Sequence, residues 1–144
     1  MIYFDKDKNA YGNPIEDHIC IIPDEEWFPY AGTDKWDIID GVFTDITNTE
    51  EYKKKKEAEE KERISHLKCT KRVLALMLQQ MGISYTRLKN LIATNEQAQL
   101  EWDLCIELER SNPLLDIMGA QLGITPEQLD IMFKYANGEI DTLN

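Results

Sequence analysis

The sequence predicts an α+β chain that is mainly helical: a small N-terminal β-hairpin module, a charged linker helix, and a C-terminal bundle of about five short helices. Two observations carry this prediction. Short apolar runs bounded by turn residues occupy residues 1–47, whereas helix caps and helical spacing of apolar residues dominate the C-terminal half. A helix, glycine, cap and helix pattern also occurs twice, at residues 74–88 and 115–129. The bundle is therefore expected to contain two helix-turn-helix-like hairpins.

Residues 1–47 are predicted to form a small β/loop module. Four short apolar runs indicate strands, at residues 2–4, 19–22, 36–39 and 42–46. The last two runs flank Asp40 and Gly41, a dipeptide that supplies the two positive φ angles of a type I′ turn. These two runs are therefore expected to pair as a β-hairpin.

Residues 48–66 are predicted to form a charged linker helix. Residues 47–50 match a capping box. In this motif a threonine hydroxyl accepts a hydrogen bond from a free backbone N–H, and the Glu50 side chain accepts one from the backbone N–H of the capping residue. Between residues 53 and 63, 10 of 11 side chains are charged and no apolar seam is present. This composition favours a solvated rod that joins two modules. A basic patch for a nucleic acid or an acidic partner is the alternative interpretation.

Residues 67–138 are predicted to form the helical bundle domain, and residues 139–144 a frayed tail. Four polar residues stand where helix N-caps are expected: Thr70, Ser84, Asn95 and Thr125. The predicted helices cover residues 71–81, 85–93, 96–110, 114–122 and 126–136. Gly82 and Gly123 are expected to end the first helix of each repeat, because glycine accepts the left-handed conformation of a C-cap.

The predicted helix over residues 96–110 is the centre of the expected bundle. Leu100, Leu104 and Leu108 recur at four-residue spacing, which places them on one face of a helix, with Trp102 and Ile106 beside them. The two helical hairpins are expected to pack on this apolar face.

The repeat raises the question of DNA recognition. In the second copy, Glu127 and Asp130 lie at the N-terminal end of the helix that would read base edges. The first copy offers Arg87 and Lys89, but Leu78 replaces the small residue usual where the two helices cross. The pattern therefore favours a packing device over a DNA reader.

Charge supports that interpretation. The 144-residue chain has a net charge of −11, with −9 in residues 1–50, +4 in residues 51–72 and −6 in residues 73–144. An acidic chain repels the phosphate backbone that supplies most non-specific affinity for nucleic acids. Nucleic-acid binding is therefore not expected. Neither a membrane span nor a secretory signal is expected, because the apolar runs are short and the N-terminus lacks a basic region.

No catalytic, cofactor or metal site is predicted. His18 and His66 are 48 residues apart, and no serine-hydrolase, zinc-protease or phosphate-loop motif occurs. The three cysteines, Cys20, Cys69 and Cys105, form no CxxC pair, which argues against a disulfide framework. His66 and Cys69 could share a metal ion, but two ligands make a poor zinc site.

Several segments resemble a known group of proteins. Residues 70–76, 81–83, 100–103, 110–115 and 122–129 resemble small tail-region proteins of bacteriophages and prophages, whose genes lie beside tail and tail-fibre genes. Residues 3–11 and 36–46 are similar to the N-terminal part of tail-fibre assembly proteins, which also place a charged helix after a β region. These segments are packing and turn motifs, so the resemblance carries over no site residue.

The resemblance implies a non-enzymatic bacteriophage protein that acts by protein binding, as a tail-fibre assembly chaperone or a minor tail component. The expected partner is a protein, such as a tail-fibre protein, and homo-oligomers remain open. The expected location is the host cytoplasm or the virion tail. Exposed aromatics suit such a task, and the candidate protein-binding residues are Trp27, Phe28, Tyr30 and Trp36. The alternative is that these four side chains form the core of the β module.

Two other functions remain open at this stage. An acidic phage inhibitor could block a host nucleic-acid-binding defence protein by offering carboxylates in place of phosphates. A helix-turn-helix regulator would instead retard DNA, and would do so more weakly as salt rises. The three hypotheses differ in the chemistry of the partner.

Overall fold

The computed structural model describes residues 1–143, and the α+β, mainly helical class is confirmed, with 48 % helix and 15 % strand. The chain forms two units, Met1–Ala58 and residues 59 onward. The first unit contains β1 (Ile2–Phe4), β2 (Ala10–Tyr11), β3 (Cys20–Ile22), α1 (Asp24–Trp27), β4 (Trp36–Ile39), β5 (Val42–Asp45) and the start of α2 (Glu50–Ser65). The second contains the end of α2, β6 (Lys68–Thr70), α3 (Lys71–Gln80), α4 (Tyr85–Ala93), α5 (Glu96–Leu104), β7 (Glu107–Glu109), α6 (Pro113–Leu122) and α7 (Pro126–Ala136).

The first unit consists of two small antiparallel sheets. Strand β1 lies between β2 and β3, and β4 pairs with β5. The predicted hairpin is confirmed, because Asp40 (φ 53°) and Gly41 (φ 77°) both adopt the positive φ angles of its turn.

An aromatic cluster forms the core of this unit. Phe4 is fully buried and its ring contacts the rings of Trp27, Trp36 and Phe43, with centroid distances of 5.3, 5.3 and 5.8 Å. Cys20, Ile22 and Ile38 are also buried in this core. The core of this small unit thus combines a few large rings with a few aliphatic side chains.

Helix α2 begins later than the predicted linker helix. The capping residue is Thr49, whose hydroxyl accepts a bond from the backbone N–H of Tyr52 at 3.2 Å. Thr47 is not the cap, because its hydroxyl donates to Asp45 at 2.6 Å. The helix belongs partly to each unit, since the boundary between the units follows Ala58.

Within the first unit, the lysines of α2 contact the loop before β4. The ammonium of Lys56 lies 2.6 Å from the carboxylate of Asp34, and that of Lys55 lies 3.4 Å from it. These bonds hold the pKa of Asp34 below its usual range, with the Lys56 bond as the largest cause.

The second unit is built around the two predicted helix-turn-helix hairpins, α3–α4 and α6–α7. The four predicted N-caps are confirmed: Thr70, Ser84, Asn95 and Thr125 accept bonds from the backbone N–H groups of Val73, Arg87, Ala98 and Gln128. Thr125 and Gln128 also complete the predicted capping box. Each turn uses a left-handed glycine, Gly82 (φ 88°) or Gly123 (φ 78°), as the sequence predicts.

The prediction of one helix over residues 96–110 is wrong. Helix α5 ends at Leu104, the backbone of Cys105 is extended, and β7 then pairs antiparallel with β6. The reason is non-local: pairing places Leu108 opposite Cys69, and both side chains are buried in the helical core. Leu100 and Leu104, which were predicted to face the bundle, lie on the surface.

The predicted frayed tail makes defined contacts up to Leu143. The guanidinium of Arg63 donates two bonds to the carboxylate of Glu139, at 2.8 and 3.0 Å, and Leu143 packs against the helical core. Asn144, the last residue of that predicted tail, lies outside the described residues.

Candidate protein-binding groove

The four predicted protein-binding residues do not form one exposed surface. Trp27 and Trp36 are half-buried in the aromatic cluster, where their ring centroids lie 5.1 Å apart. The ring of Tyr30 packs edge-on against Phe43, and its hydroxyl donates to Asp45 at 2.9 Å. Only Phe28 projects into solvent among the four, with 69 % of its surface exposed. Three of the four side chains therefore serve the packing of their own unit.

A more suitable concave site lies on the helical unit, in the first helix-turn-helix copy. We call it the α3–α4–α5 groove; its lining residues are Lys71, Arg72, Ala75, Leu76, Gln79, Tyr85 and Trp102. Its volume is about 400 Å³. This volume falls within the roughly 300–1,000 Å³ that is typical of binding pockets.

Apolar groups in the groove remain accessible to a partner. Leu76 and Tyr85 are 45 % and 50 % exposed, and Trp102 is partly buried. They reach the same groove from three helices, since Leu76 lies on α3, Tyr85 opens α4, and Trp102 lies on α5. Large apolar side chains clustered in a concave surface are typical of protein contact sites.

The groove is also cationic, although the chain as a whole is strongly acidic. The ammonium of Lys71 donates to the backbone oxygen of Trp102 and lies 5.6 Å from the centroid of its ring. The ammonium of Lys89 lies 5.6 Å from the centroid of the Tyr85 ring. Arg72 lines the groove with an exposed side chain. A partner segment that combines apolar side chains with carboxylates would complement this surface.

The equivalent surface of the second copy is already occupied by Arg110. Its buried guanidinium lies 2.7 Å from the carboxylate of Asp130 and 3.2 Å from that of Asp116, and it donates to the backbone oxygen of Pro126 at 3.1 Å. Asp116, Pro126 and Asp130 are 41 positions after Ala75, Tyr85 and Lys89, respectively. The same motif thus has an internal ligand in one copy and an open groove in the other.

The sequence indicated Lys89 as a possible phosphate contact in this region but did not predict the groove. Neither Leu76 nor Tyr85 was predicted to line a binding surface. The available signal was an outward-facing leucine on α3 beside Tyr85, at the start of the next helix. Trp102 could not have been placed, because its position depends on where α5 packs.

His66 does not contribute to a metal cluster in the structure. Its ring nitrogens lie 2.8 Å from the Glu62 carboxylate and 3.0 Å from that of Glu109. These bonds raise the pKa of His66, with the Glu109 bond as the largest cause. Burial raises the pKa of the Cys69 thiol to about 11, so this cysteine stays protonated at neutral pH. Among residues 1–143, no group of three or more His, Cys, Asp or Glu side chains is arranged to hold a metal ion.

Comparison of the chain with protein-family models, curated proteins and solved structures finds no match. Across the described residues, no helix is long and apolar enough to cross a membrane.

Proposed function

We propose that this chain is a non-enzymatic bacteriophage tail-region protein that acts by binding another protein through the α3–α4–α5 groove. The observation that carries the proposal is the juxtaposition of exposed Leu76 and Tyr85 with the cations Lys71 and Arg72 in one concavity. The tail-region role rests on the resemblance of the helical and hairpin segments to phage tail-region proteins. The expected ligand is an apolar protein segment that carries acidic residues.

Site-specific photocrosslinking in induced or infected cells tests this function. A photoreactive amino acid is placed at Leu76, in the groove, or at Ile117, its equivalent in the second copy. The two positions are matched, because both lie on the outer face of a first helix and they are 45 % and 52 % exposed. Capture of a tail or tail-fibre protein, or of a second copy of this chain, from position 76 but not from position 117 is the expected result.

Two results would contradict the groove as the site. Equal capture from positions 76 and 117 would mean that the groove has no special affinity for a partner. Capture from a third photoreactive position, Phe28, with none from position 76, would assign binding to the N-terminal unit, where Phe28 is the most exposed aromatic of the predicted set.

A nucleic-acid titration tests the competing chemistry. Cationic and aromatic side chains also bind single-stranded nucleic acids, on which bases stack and phosphates pair. We expect a fluorescent oligothymidine to show no binding at about 0.15 M salt, because the net charge of −11 opposes it. Binding that is lost in Arg72→Glu would contradict the proposal and assign the groove to nucleic acid.

A further inference from the structure

The helical unit presents a second exposed apolar surface. We call it the acidic stripe, because the apolar side chains that form it are flanked by carboxylates. It consists of Leu100, Leu104 and Ile106, which are 57 %, 75 % and 84 % exposed. Leu100 and Leu104 are one helical turn apart on α5, and Ile106 follows in the extended segment before β7. Three adjacent large apolar side chains with such exposure are uncommon on a protein surface that contacts only water.

The side chains around this stripe are mainly acidic. Residues 96–109 contain five acidic residues and no basic one. Glu96 and Asp103 line the same shallow depression as Leu100, and Asp103 accepts a bond from Gln99 at 2.9 Å. The Glu107 carboxylate is 3.7 Å from the Lys68 ammonium, a loose surface pair. The complement of this stripe is an apolar surface that carries cations.

The α3–α4–α5 groove is a surface of that kind. It offers Leu76 and Tyr85 to leucine side chains, and Lys71 and Arg72 to carboxylates. Leu100 and Leu104 lie on the side of α5 opposite Trp102, because each is two residues from it, a rotation of about 200° around the helix. Ile106 lies nearer the groove, since its backbone oxygen accepts a hydrogen bond from the backbone N–H of Lys71 at 3.4 Å. A single protomer therefore directs Leu100 and Leu104 away from its own groove.

We infer that the occupant of the groove is a second copy of this chain, whose acidic stripe docks against Leu76, Tyr85 and the flanking cations. The inference rests on the proposed function, since it names the partner of the same groove. The contact is heterologous, so it forms rings if the rotation closes and filaments if it does not. Such head-to-tail assembly favours the role of a minor structural component of the tail over that of a fibre chaperone, because self-association occupies the groove.

Sedimentation velocity of the full chain over a concentration series tests this inference. The wild-type protein is expected to gain mass with concentration. Leu104→Glu removes apolar contact from the stripe, and Leu76→Glu adds a charge that repels its carboxylates. Each variant alone is expected to associate at least tenfold more weakly. Both positions are solvent-exposed, so thermal unfolding monitored by circular dichroism should show a fold close to wild type.

Mixing the two variants gives the decisive observation. Leu104→Glu retains an intact groove and Leu76→Glu retains an intact stripe, so an equimolar mixture has one good contact and is expected to stop at a heterodimer. A mixture that stays monomeric while the wild type associates would overturn the head-to-tail contact. Wild-type protein that is monomeric at every concentration would also overturn it, and capture of a tail protein from position 76 would still support the proposed function.

Arg72→Glu is a second groove variant that leaves the apolar side chains in place. If charge complementarity steers the contact, this variant weakens association and rising salt weakens the wild-type complex. Association that is unchanged in both Leu76→Glu and Arg72→Glu would contradict the groove as the docking surface.

Discussion

The two helix-turn-helix copies bury corresponding core positions but differ on their outer faces. Leu74 and Leu88 in the first copy correspond to Leu115 and Leu129 in the second, and all four are buried. On the outer face, however, Ala75, Tyr85 and Lys89 correspond to Asp116, Pro126 and Asp130. The second set holds Arg110, whereas the first set surrounds an open groove. The positions that the two copies share therefore pack the core, whereas the positions that differ lie on the outer face and distinguish the occupied surface from the open groove.

The copies also differ where their helices cross. Leu78 is buried in the first copy, while Gly119 occupies the corresponding position of the second. A Cβ atom at Gly119 would lie 3.1 Å from Leu129 Cδ1 and 3.2 Å from the Ile124 backbone oxygen. The crossing of the second hairpin therefore leaves little room for a side chain at position 119.

The largest predicted effect is that of Arg110→Met. Hydrogen bonds to a charged group contribute roughly 1.5–3 kcal/mol, and we expect a loss of about 2–3 kcal/mol, because the guanidinium is buried but the two carboxylates are 50 % and 37 % exposed and regain water once it is removed. Chemical denaturation measures this loss in the free energy of unfolding. The matched control is Arg72→Met in the first copy, whose exposed side chain predicts a change within about 0.5 kcal/mol. Similar losses in the two variants would contradict the assignment of Arg110 as an internal ligand.

A smaller loss is expected from Gly119→Leu, which gives the second copy the crossing residue of the first. Overpacking costs roughly 1–3 kcal/mol of stability. Replacing a helical glycine stabilises the helix by somewhat under about 1 kcal/mol, because glycine has a low helix propensity. The net expectation is a destabilisation of about 1–2 kcal/mol, measured by thermal unfolding. An increase in Tm would show that the Leu129 side chain moves aside and that the helices are not closely packed at this crossing.

The left-handed glycines should behave alike in both copies. Gly82→Val and Gly123→Val each place a β-branched residue at a positive φ, which costs about 1–2 kcal/mol, although no atom lies within 4 Å of the added Cβ. Equal shifts in Tm are therefore expected from the two substitutions. A loss confined to one copy would mean that its turn depends on contacts other than backbone conformation.

His66 provides a pH-dependent contrast to Arg110. Its pKa is raised in the folded state by Glu109 first and Glu62 second, so the stabilisation is fully present below the unfolded pKa of about 6.5 and is lost as pH rises through the folded pKa. The difference in Tm between wild type and His66→Gln should be larger at about pH 5.5 than at about pH 8.5. The loss caused by Arg110→Met should not vary in this range, because arginine stays charged. A pH-independent effect of His66→Gln would contradict the role of its two carboxylate partners.

Local signals account for the parts of the fold that were predicted correctly. The Asp40-Gly41 turn, the four N-caps and the left-handed glycines each depend on a few neighbouring residues. The pairing of β6 with β7 joins residues about 40 positions apart, and no local sequence pattern predicts it. The same non-local pairing takes residues 107–109 out of the predicted helix, and Leu104 is exposed despite its core-like spacing. The groove is non-local as well, because Trp102 on α5 and Leu76 on α3 meet only in the folded chain.

Sedimentation of Leu76→Glu beside Ile117→Glu, one substitution at the same position of each copy, separates the outer faces of the two copies. We expect Leu76→Glu to weaken self-association at least tenfold and Ile117→Glu to leave it unchanged. Equal behaviour of the two variants would mean that the first helix-turn-helix copy does not differ from the second in keeping its outer face for a partner.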